Sequence, residues 1–326
     1  MANIKEIQDR IKSVNDTMKI TNAMYMISSN KLRKARKMLA ETEPYFYSVQ
    51  GMFSRVIRHV PVDTQDIFLD KHMDIPKEER KKGYIVLTDD KGLAGAYNHN
   101  VLKIVEQHIK NDGPNWKLYV VGEMGRQYFL NKSIPVDEQF HFTAQNPTLS
   151  RARKIAARIL NDYENQDVDE VYMVYTTMKN SIVCETQFSQ LLPLDRKENA
   201  TGGQDVLKAT SGALQEEFLM TPSPEAVLDN IVPSLVTGFI YGALVEAFCS
   251  VQNSRMMAMD SANKNAKSMI HDLTMKYNRE RQGMITQEIT EVASGAKALK
   301  RAKEAKEQRD EMMRREAEAM EEEEGN

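Results

Sequence analysis

The stretch IKEIQDRIKSVNDTMKITNAMYMISSNKLRKARKML (residues 4–39) decides the fold. Apolar or small side chains recur in it in alternating steps of three and four residues, the spacing of a heptad repeat. They fall at Ile4, Ile7, Ile11, Val14, Met18, Thr21, Tyr25, Ser28, Leu32, Ala35 and Leu39. No proline precedes Pro44 and no glycine precedes Gly51. The pattern therefore predicts one long helix over residues 1–60 that packs against a second helix.

A second long helix is predicted in the C-terminal third of the chain. Ser223 supplies an N-cap and Pro224 a first helical residue, and the helical pattern continues past residue 300. The same spacing returns at Ile285, Ile289, Val292, Ala296 and Leu299. We expect residues 1–60 and 218–300 to form an antiparallel coiled coil.

The chain between these helices has the pattern of an α/β domain. Buried strands are predicted at residues 84–88 (YIVLT) and 116–121 (WKLYVV), a weaker strand at 133–142, and an antiparallel pair at 168–177 and 182–192, with helices between the earlier strands. The expected segments are a connector at 61–82, an α/β domain at 83–195, a loop or edge insertion at 196–217 and a charged extension at 301–326.

Composition excludes several functional classes. The 326 residues carry 44 basic and 47 acidic side chains, a net charge of -3, so no overall basic field indicates nucleic acid. Cys184, Cys249 and the six histidines are scattered, which argues against a disulfide framework or a zinc site. The longest uncharged stretch, residues 230–245, is shorter than a membrane-spanning helix, and the N-terminus lacks a signal-peptide pattern. We expect a reducing compartment and no transmembrane segment.

Two motifs allow more than one interpretation. The turn DDKGLAG (89–95) follows a strand but matches neither a dinucleotide nor a P-loop motif, so a tight turn that requires Gly92 and Gly95 is favoured over a phosphate site. Capping or packing is favoured over metal binding for Asp89 and Asp90. The basic run KLRKARK (31–37) could be a solvated helix face, a nucleic-acid contact or a docking surface for an acidic protein loop.

Three segments resemble the gamma subunit family of bacterial F-type ATP synthases. ITNAMYMISSNKLRKA (20–35) resembles the motif of the family's N-terminal helix, and TDDKGLAGAYN (88–98) resembles the turn of its α/β domain. RMMAMDSANKNAKSMIHDLTMKYNRERQGMITQEITEVASGAKAL (255–299) matches the signature of its C-terminal helix nearly throughout. The order and spacing agree from Met1 to about Leu299.

The resemblance implies a fold and a set of partners. The fold would be an antiparallel coiled coil with an inserted Rossmann-like domain. The coiled coil would stand inside a ring of alternating α and β subunits, while the ε subunit and the membrane rotor c-ring would bind the foot and the α/β domain. Catalysis would lie on the β subunits, so this chain would be non-catalytic, without cofactor or metal. It would belong to a peripheral complex on the cytoplasmic face of the cell membrane.

The resemblance also implies which residues contact partners. On the N-terminal helix, Met24 would touch a β loop, and the basic collar, Lys31, Arg33 and Lys34, would meet acidic β loops. On the C-terminal helix, the residues expected at the bearing are Arg255, Gln282, Thr286 and Glu288. Two other classes stay open from the residues alone. One is a coiled-coil scaffold with a degenerate nucleotide fold, and the other is an enzyme that acts on a phosphate.

Overall fold

The computed structural model describes residues 4–60, 66–69, 75–76, 79–180, 183–194 and 220–324, with residues 315–324 described by their backbone alone. Most of the predicted connector at 61–82 and the whole predicted loop at 196–217 lie outside the described residues. The elements in chain order are α1 (Ile4–His59), β1 (Lys82–Leu87), α2 (Tyr97–Asn111), β2 (Trp116–Val121), α3 (Glu123–Asn131), α4 (Leu149–Glu164), β3 (Glu170–Met178), β4 (Cys184–Leu192) and α5 (Pro224–Glu324).

The described strands form one mixed sheet in the order β2-β1-β3-β4. β1 pairs in parallel with both β2 and β3, and β4 runs antiparallel to β3. Alternate residues point to opposite faces of the sheet. Tyr84 and Val86 of β1 pack with α2 and α3, whereas Ile85 and Leu87 pack in the cluster that contains α4 and parts of α1 and α5. An α/β sheet inserted between two long helices is therefore confirmed.

Contacts divide the chain into two compact units. Unit 1 consists of Met1–Ile20 and Asn263–Asn326, and unit 2 consists of Thr21–Ala262. Unit 2 holds the sheet and nearly all of the described buried core. In unit 1, Ile7 is the only buried residue among those whose side chains are described.

Within unit 2 the two long helices pack antiparallel. The rings of Phe46 on α1 and Tyr241 on α5 pack at a tilt, with centroids 5.6 Å apart. A Cβ atom on Gly238 would collide with the Phe46 ring, so only glycine permits this approach. Glu43, earlier on α1, faces Glu246, later on α5. In unit 1, Gln8 Nε2 of α1 donates a hydrogen bond to the hydroxyl of Tyr277 on α5, 2.9 Å away.

Helix α5 contains a window that is long and apolar enough to cross a membrane, by length and composition only. Of this window, 67% is buried inside the protein. The aliphatic residues from Leu228 to Leu244 belong to the main core cluster. This burial is typical of a core helix, whose apolar surface packs against its own chain rather than against lipid.

The predicted strand at 133–142 is not formed. Asp137 Oδ1 accepts hydrogen bonds from the backbone N–H groups of Gln139 and Phe140, at 2.9 and 3.0 Å, and so closes a local turn. An isolated bridge between Val121 and Phe142 and one backbone hydrogen bond, from the Asp137 N–H to the Leu118 carbonyl at 2.9 Å, connect the segment to β2 without forming a paired strand. The aspartate competes with strand pairing for the backbone donors, which explains the difference.

Candidate functional site

The basic collar predicted on α1 lies in unit 2, on a helix that is fixed by its opposite face. Leu32 and Ala35 are buried in the core, which leaves Arg33 and Lys34 exposed, while Lys31 is half-buried. Arg33 Nη2 donates a hydrogen bond to the side-chain oxygen of Asn30, 2.8 Å away. Exposed guanidinium and ammonium groups pair readily with carboxylates, and the docking of an acidic loop on this collar stays a prediction.

Met24 is half-buried and lies one turn before the buried Ser28. Its neighbours Met26 and Ile27 are large apolar residues that are 58% and 54% exposed. These exposed side chains are compatible with a partner contact, and the contact predicted for Met24 stays a prediction.

On α5, Gln282, Thr286 and Glu288 are all exposed and lie in unit 1. Thr286 is one helical turn after Gln282, and its hydroxyl donates to the Gln282 backbone carbonyl, 2.9 Å away. Glu288 follows Thr286 by two residues, which rotates it by about 200° around the helix. The structure therefore brings Gln282 and Thr286 onto one face and places Glu288 on another.

Apolar residues surround these polar groups on the same part of α5. The side chains of Ile285, Ile289 and Val292 are 46%, 63% and 74% exposed, and that of Leu299 is 75% exposed. They are the residues that repeat the heptad spacing in the sequence. No described residue of the chain buries them.

Arg255 has a different environment from the other predicted contact residues. Its side chain is buried in unit 2, where the guanidinium forms an ion pair with Asp89. The same Nη2 atom lies 3.4 Å from the Lys91 carbonyl oxygen and 3.3 Å from that of Gly92. The predicted contact with a partner subunit stays a prediction, but this guanidinium is already bound within its own chain.

Both aspartates of the turn after β1 bind protein groups. Besides the ion pair of its side chain, Asp89 forms two hydrogen bonds through its backbone. Its N–H donates to Asn98 Oδ1 at 2.9 Å, and its carbonyl accepts from the Met124 N–H at 3.0 Å. The Asp90 carboxylate accepts from the backbone N–H groups of Glu123 and Ala144, each at 3.1 Å. These contacts are the packing and capping roles that the sequence favoured.

The turn itself has an unusual backbone. Gly95 adopts a left-handed φ of 59°, as a tight turn requires, but Leu93 rather than Gly92 takes the other left-handed conformation, with φ of 65°. The Leu93 side chain is 64% exposed, whereas Ala94 beside it is buried against Tyr97 and Val251. The expectation about Gly92 was therefore wrong in this detail.

The described residues contain no group of three or more histidine, cysteine, aspartate or glutamate side chains that could hold a metal ion. A cavity of about 220 Å³ in unit 2 lies between α1, α5 and Tyr175 of β3. Its lining mixes apolar side chains with polar groups such as Gln50, and its ionisable acids are the carboxyls of Glu43 and Glu246. Two carboxylates would repel a phosphate, so this cavity is unsuited to a nucleotide.

Sequence reasoning missed Asp89 as the partner of Arg255. Both residues lie in segments that resemble family motifs, and this shared resemblance was the one feature of the sequence that could have connected them. A separation of 166 residues gives no periodic or local pattern that could join them. Only the tertiary structure shows that the two segments meet.

Comparison with known proteins agrees with these observations. A family model described as ATP synthase matches residues 3–299. The ATP synthase gamma chain of Ruminiclostridium cellulolyticum is 43% identical over 297 residues, which cover 91% of this chain and 99% of that protein. The ATP synthase gamma chain, sodium ion specific, of Acetobacterium woodii is 38% identical over 307 residues, with 91% and 99% covered.

A solved structure shares the fold. A chain of the Euglena gracilis mitochondrial ATP synthase, in a structure of its OSCP, F1 and c-ring in rotational state 3, superposes with a TM-score of 0.62. The superposition covers 91% of this chain and 94% of the other at 16% identity. At that identity the similarity supports the fold.

Proposed function

Because this chain belongs to the family of ATP synthase gamma chains, we propose that it is the rotating central shaft that couples ion-driven rotation of a membrane ring to ATP synthesis or hydrolysis on the β subunits. The gamma chain is a non-catalytic subunit of the ATP synthase complex. The shaft would act as a ligand that binds the conformations of the β subunits with different affinity, so that its rotation changes their relative populations.

One observation carries the proposal, namely that unit 1 has almost no core of its own. Ile7 is its only buried residue among those described, while the apolar side chains from Ile285 to Leu299 are exposed. Two helices with so little buried apolar area gain little stability from each other. A sleeve of partner subunits around unit 1 would supply the missing burial.

The partners are those that the family resemblance implies, and the chemistry of the exposed surfaces suits them. The α and β subunits would form a hexameric ring around the shaft, with the collar of Lys31, Arg33 and Lys34 against acidic β loops and Met24 beside them. Gln282, Thr286 and Glu288 would contact the bearing at changing positions, since solvent-exposed polar groups exchange one hydrogen bond for another at little net cost. Arg255 is assigned to the same surface by resemblance alone.

The remaining segments take the other roles. Residues 1–60 and 218–300 would form the shaft, and the α/β domain at 83–195 would bind the ε subunit and the c-ring with the foot of the shaft. The extension at 301–326 would lie outside the bearing. The complex would be peripheral on the cytoplasmic face of a bacterial membrane, and this subunit would need no cofactor.

Reconstitution tests the proposal. The purified chain is added to a complex of the other subunits that lacks its gamma chain, in ion-tight vesicles, and ATP hydrolysis and ion uptake are both measured. We expect no hydrolysis by the chain alone, restored ion uptake in the assembled complex, and co-purification of α, β and ε in a fixed ratio. ATP hydrolysis by the isolated chain, or assembly without ion uptake, would contradict the proposal.

A further inference from the structure

We propose that Asp89 and Arg255 form a clamp that transmits torque between the α/β sheet and α5, with Asp89 as a positioning residue for coupling. The inference rests on the proposed function, because it assigns a mechanical role within the rotating subunit. It also differs from the role that resemblance gives Arg255, since the guanidinium would act on its own chain rather than on a neighbouring subunit.

The position of Asp89 connects the pair to the middle of the sheet. Asp89 comes two residues after β1, which is hydrogen-bonded on both sides, to β2 and to β3. Its backbone is held by Asn98 at the start of α2 and by Met124 in α3. A force applied to the Asp89 carboxylate is therefore shared among several elements of the α/β domain.

Helix α5 meets this edge of the sheet over a short segment with three kinds of contact. The Ser250 hydroxyl donates to the Thr176 carbonyl of β3, 2.9 Å away, and Val251 packs against Ala94 and Tyr97. Arg255 follows a little more than one turn later with its charged contacts. The ion pair of Arg255 is the charged contact between this segment of α5 and the α/β domain.

The charged contact of Arg255 depends on the exact position of α5 on the sheet. Apolar contacts such as that of Val251 tolerate sliding, because hydrophobic attraction has no preferred direction. The Arg255 guanidinium instead bonds a carboxylate and reaches two carbonyl oxygens at the same time, which only one register of α5 on the sheet allows. Any shift of α5 along the sheet would have to separate buried opposite charges.

Stability alone does not account for the pair. The cost of desolvating two ions offsets most of their attraction, so buried ion pairs contribute little net free energy of folding. Their best-attested use is to fix one register among several that apolar packing would permit. In a subunit that carries torque, a fixed register of α5 on the sheet is a functional requirement.

The test uses the assembled complex in ion-tight vesicles with four altered chains. They carry Asp89→Asn, Arg255→Gln, both changes together, and the control Asp167→Asn, which alters an exposed aspartate of the same domain. The measurement is the number of ions taken up per ATP hydrolysed, relative to the unaltered chain. We expect the number of ions taken up per ATP to fall roughly threefold in each single variant. It should fall by about the same factor in the double variant, because the two residues act as one unit.

Two results would overturn the clamp. In the first, Asp89→Asn behaves like Asp167→Asn while Arg255→Gln lowers ion uptake, which would place the action of Arg255 on another subunit. In the second, the fold decrease in ions per ATP of the double variant equals the product of the fold decreases of the two single variants, which would show independent roles. If the neutral variants do not assemble, Asp89→Glu and Arg255→Lys keep both charges, and a clamp that depends on geometry predicts assembled but less tightly coupled complexes.

Amide hydrogen exchange on the full chain separates this inference from the proposed function. Loss of the clamp should accelerate exchange of the amides from Asp89 to Ala94 about tenfold in Asp89→Asn and leave it unchanged in Asp167→Asn. Equal exchange in the two variants would overturn the clamp even if the chain restores ion uptake. Failure of the unaltered chain to restore uptake would instead count against the proposed function.

Discussion

At the scale of single residues, Glu246 is a carboxyl group in an unfavourable place. It lines the cavity between α1 and α5, and no described residue provides a cation for it. Burial raises the pKa of Glu246 above its ordinary value of 4.5, and the nearby Glu43 carboxylate adds to the increase. The folded chain therefore binds the Glu246 proton more tightly than the unfolded chain does, so ionisation of this group opposes folding.

Glu246→Gln should stabilise the protein at neutral pH. At pH 7, well above the ordinary pKa of 4.5, ionisation of Glu246 stabilises the unfolded chain more than the folded chain. The amide removes this difference, so the melting temperature of the full chain should rise by about 2 °C. At about pH 4 Glu246 is protonated in the folded chain and largely protonated in the unfolded chain, so the difference should nearly vanish.

Thermal unfolding monitored by circular dichroism at both pH values measures this effect. Glu41→Gln is the matched control, since Glu41 is an exposed carboxylate on α1 whose partner is Lys37, 3.8 Å away. Its substitution should leave the melting temperature nearly unchanged. Equal melting temperatures of the natural and Glu246→Gln chains at pH 7 would disprove the argument.

At the scale of elements, the sequence patterns predicted the strands and helix starts that depend on residues close together in the chain. The strand at 116–121 and the N-cap of α5 appear where the sequence places them, because a short apolar run and Ser223 act within a few residues. The strand predicted at 133–142 is not formed, because the backbone N–H groups of Gln139 and Phe140 donate to the Asp137 carboxylate instead of pairing with a strand. The Asp89–Arg255 pair could not be predicted, since it joins residues that only the tertiary fold brings together.

The end of α5 extends beyond the family match. The family model ends at residue 299, whereas the helix continues to Glu324. All side chains described from 300 to 314 are exposed, and the ion pairs Lys300–Glu304 and Lys303–Glu307 have distances of 3.9 and 4.0 Å. Such pairs contribute about 0.3–0.5 kcal/mol each. With no described apolar seam to bury, the extension depends on local helix propensity.

Truncation after Leu299 should therefore leave coupled turnover intact. The truncated chain should assemble and restore ion uptake per ATP to the level of the full chain. In the intact complex, amides beyond Lys306 should exchange much faster than those of the buried segment from Val232 to Cys249. Loss of assembly on truncation, or strong protection beyond Lys306, would show that the extension is part of the bearing.

At the scale of the whole molecule, the two units have different sources of stability. Unit 2 packs a sheet between helices and contains nearly all of the buried residues described. Unit 1 exposes most of its described side chains, including a row of apolar residues on α5. This difference is expected for a protein that anchors itself through one unit and is enclosed by other subunits around the second.

Direct observation of rotation tests the central claim. The complex is fixed to a surface through its ring of α and β subunits, and a bead is attached to the α/β domain through Asp167→Cys in a Cys184→Ser background. The remaining Cys249 is buried and its pKa is raised to about 11, so it stays unlabelled. The account predicts that the bead rotates in one direction while ATP is hydrolysed and stops when ATP is exhausted. ATP hydrolysis by the labelled complex with a stationary bead would contradict it.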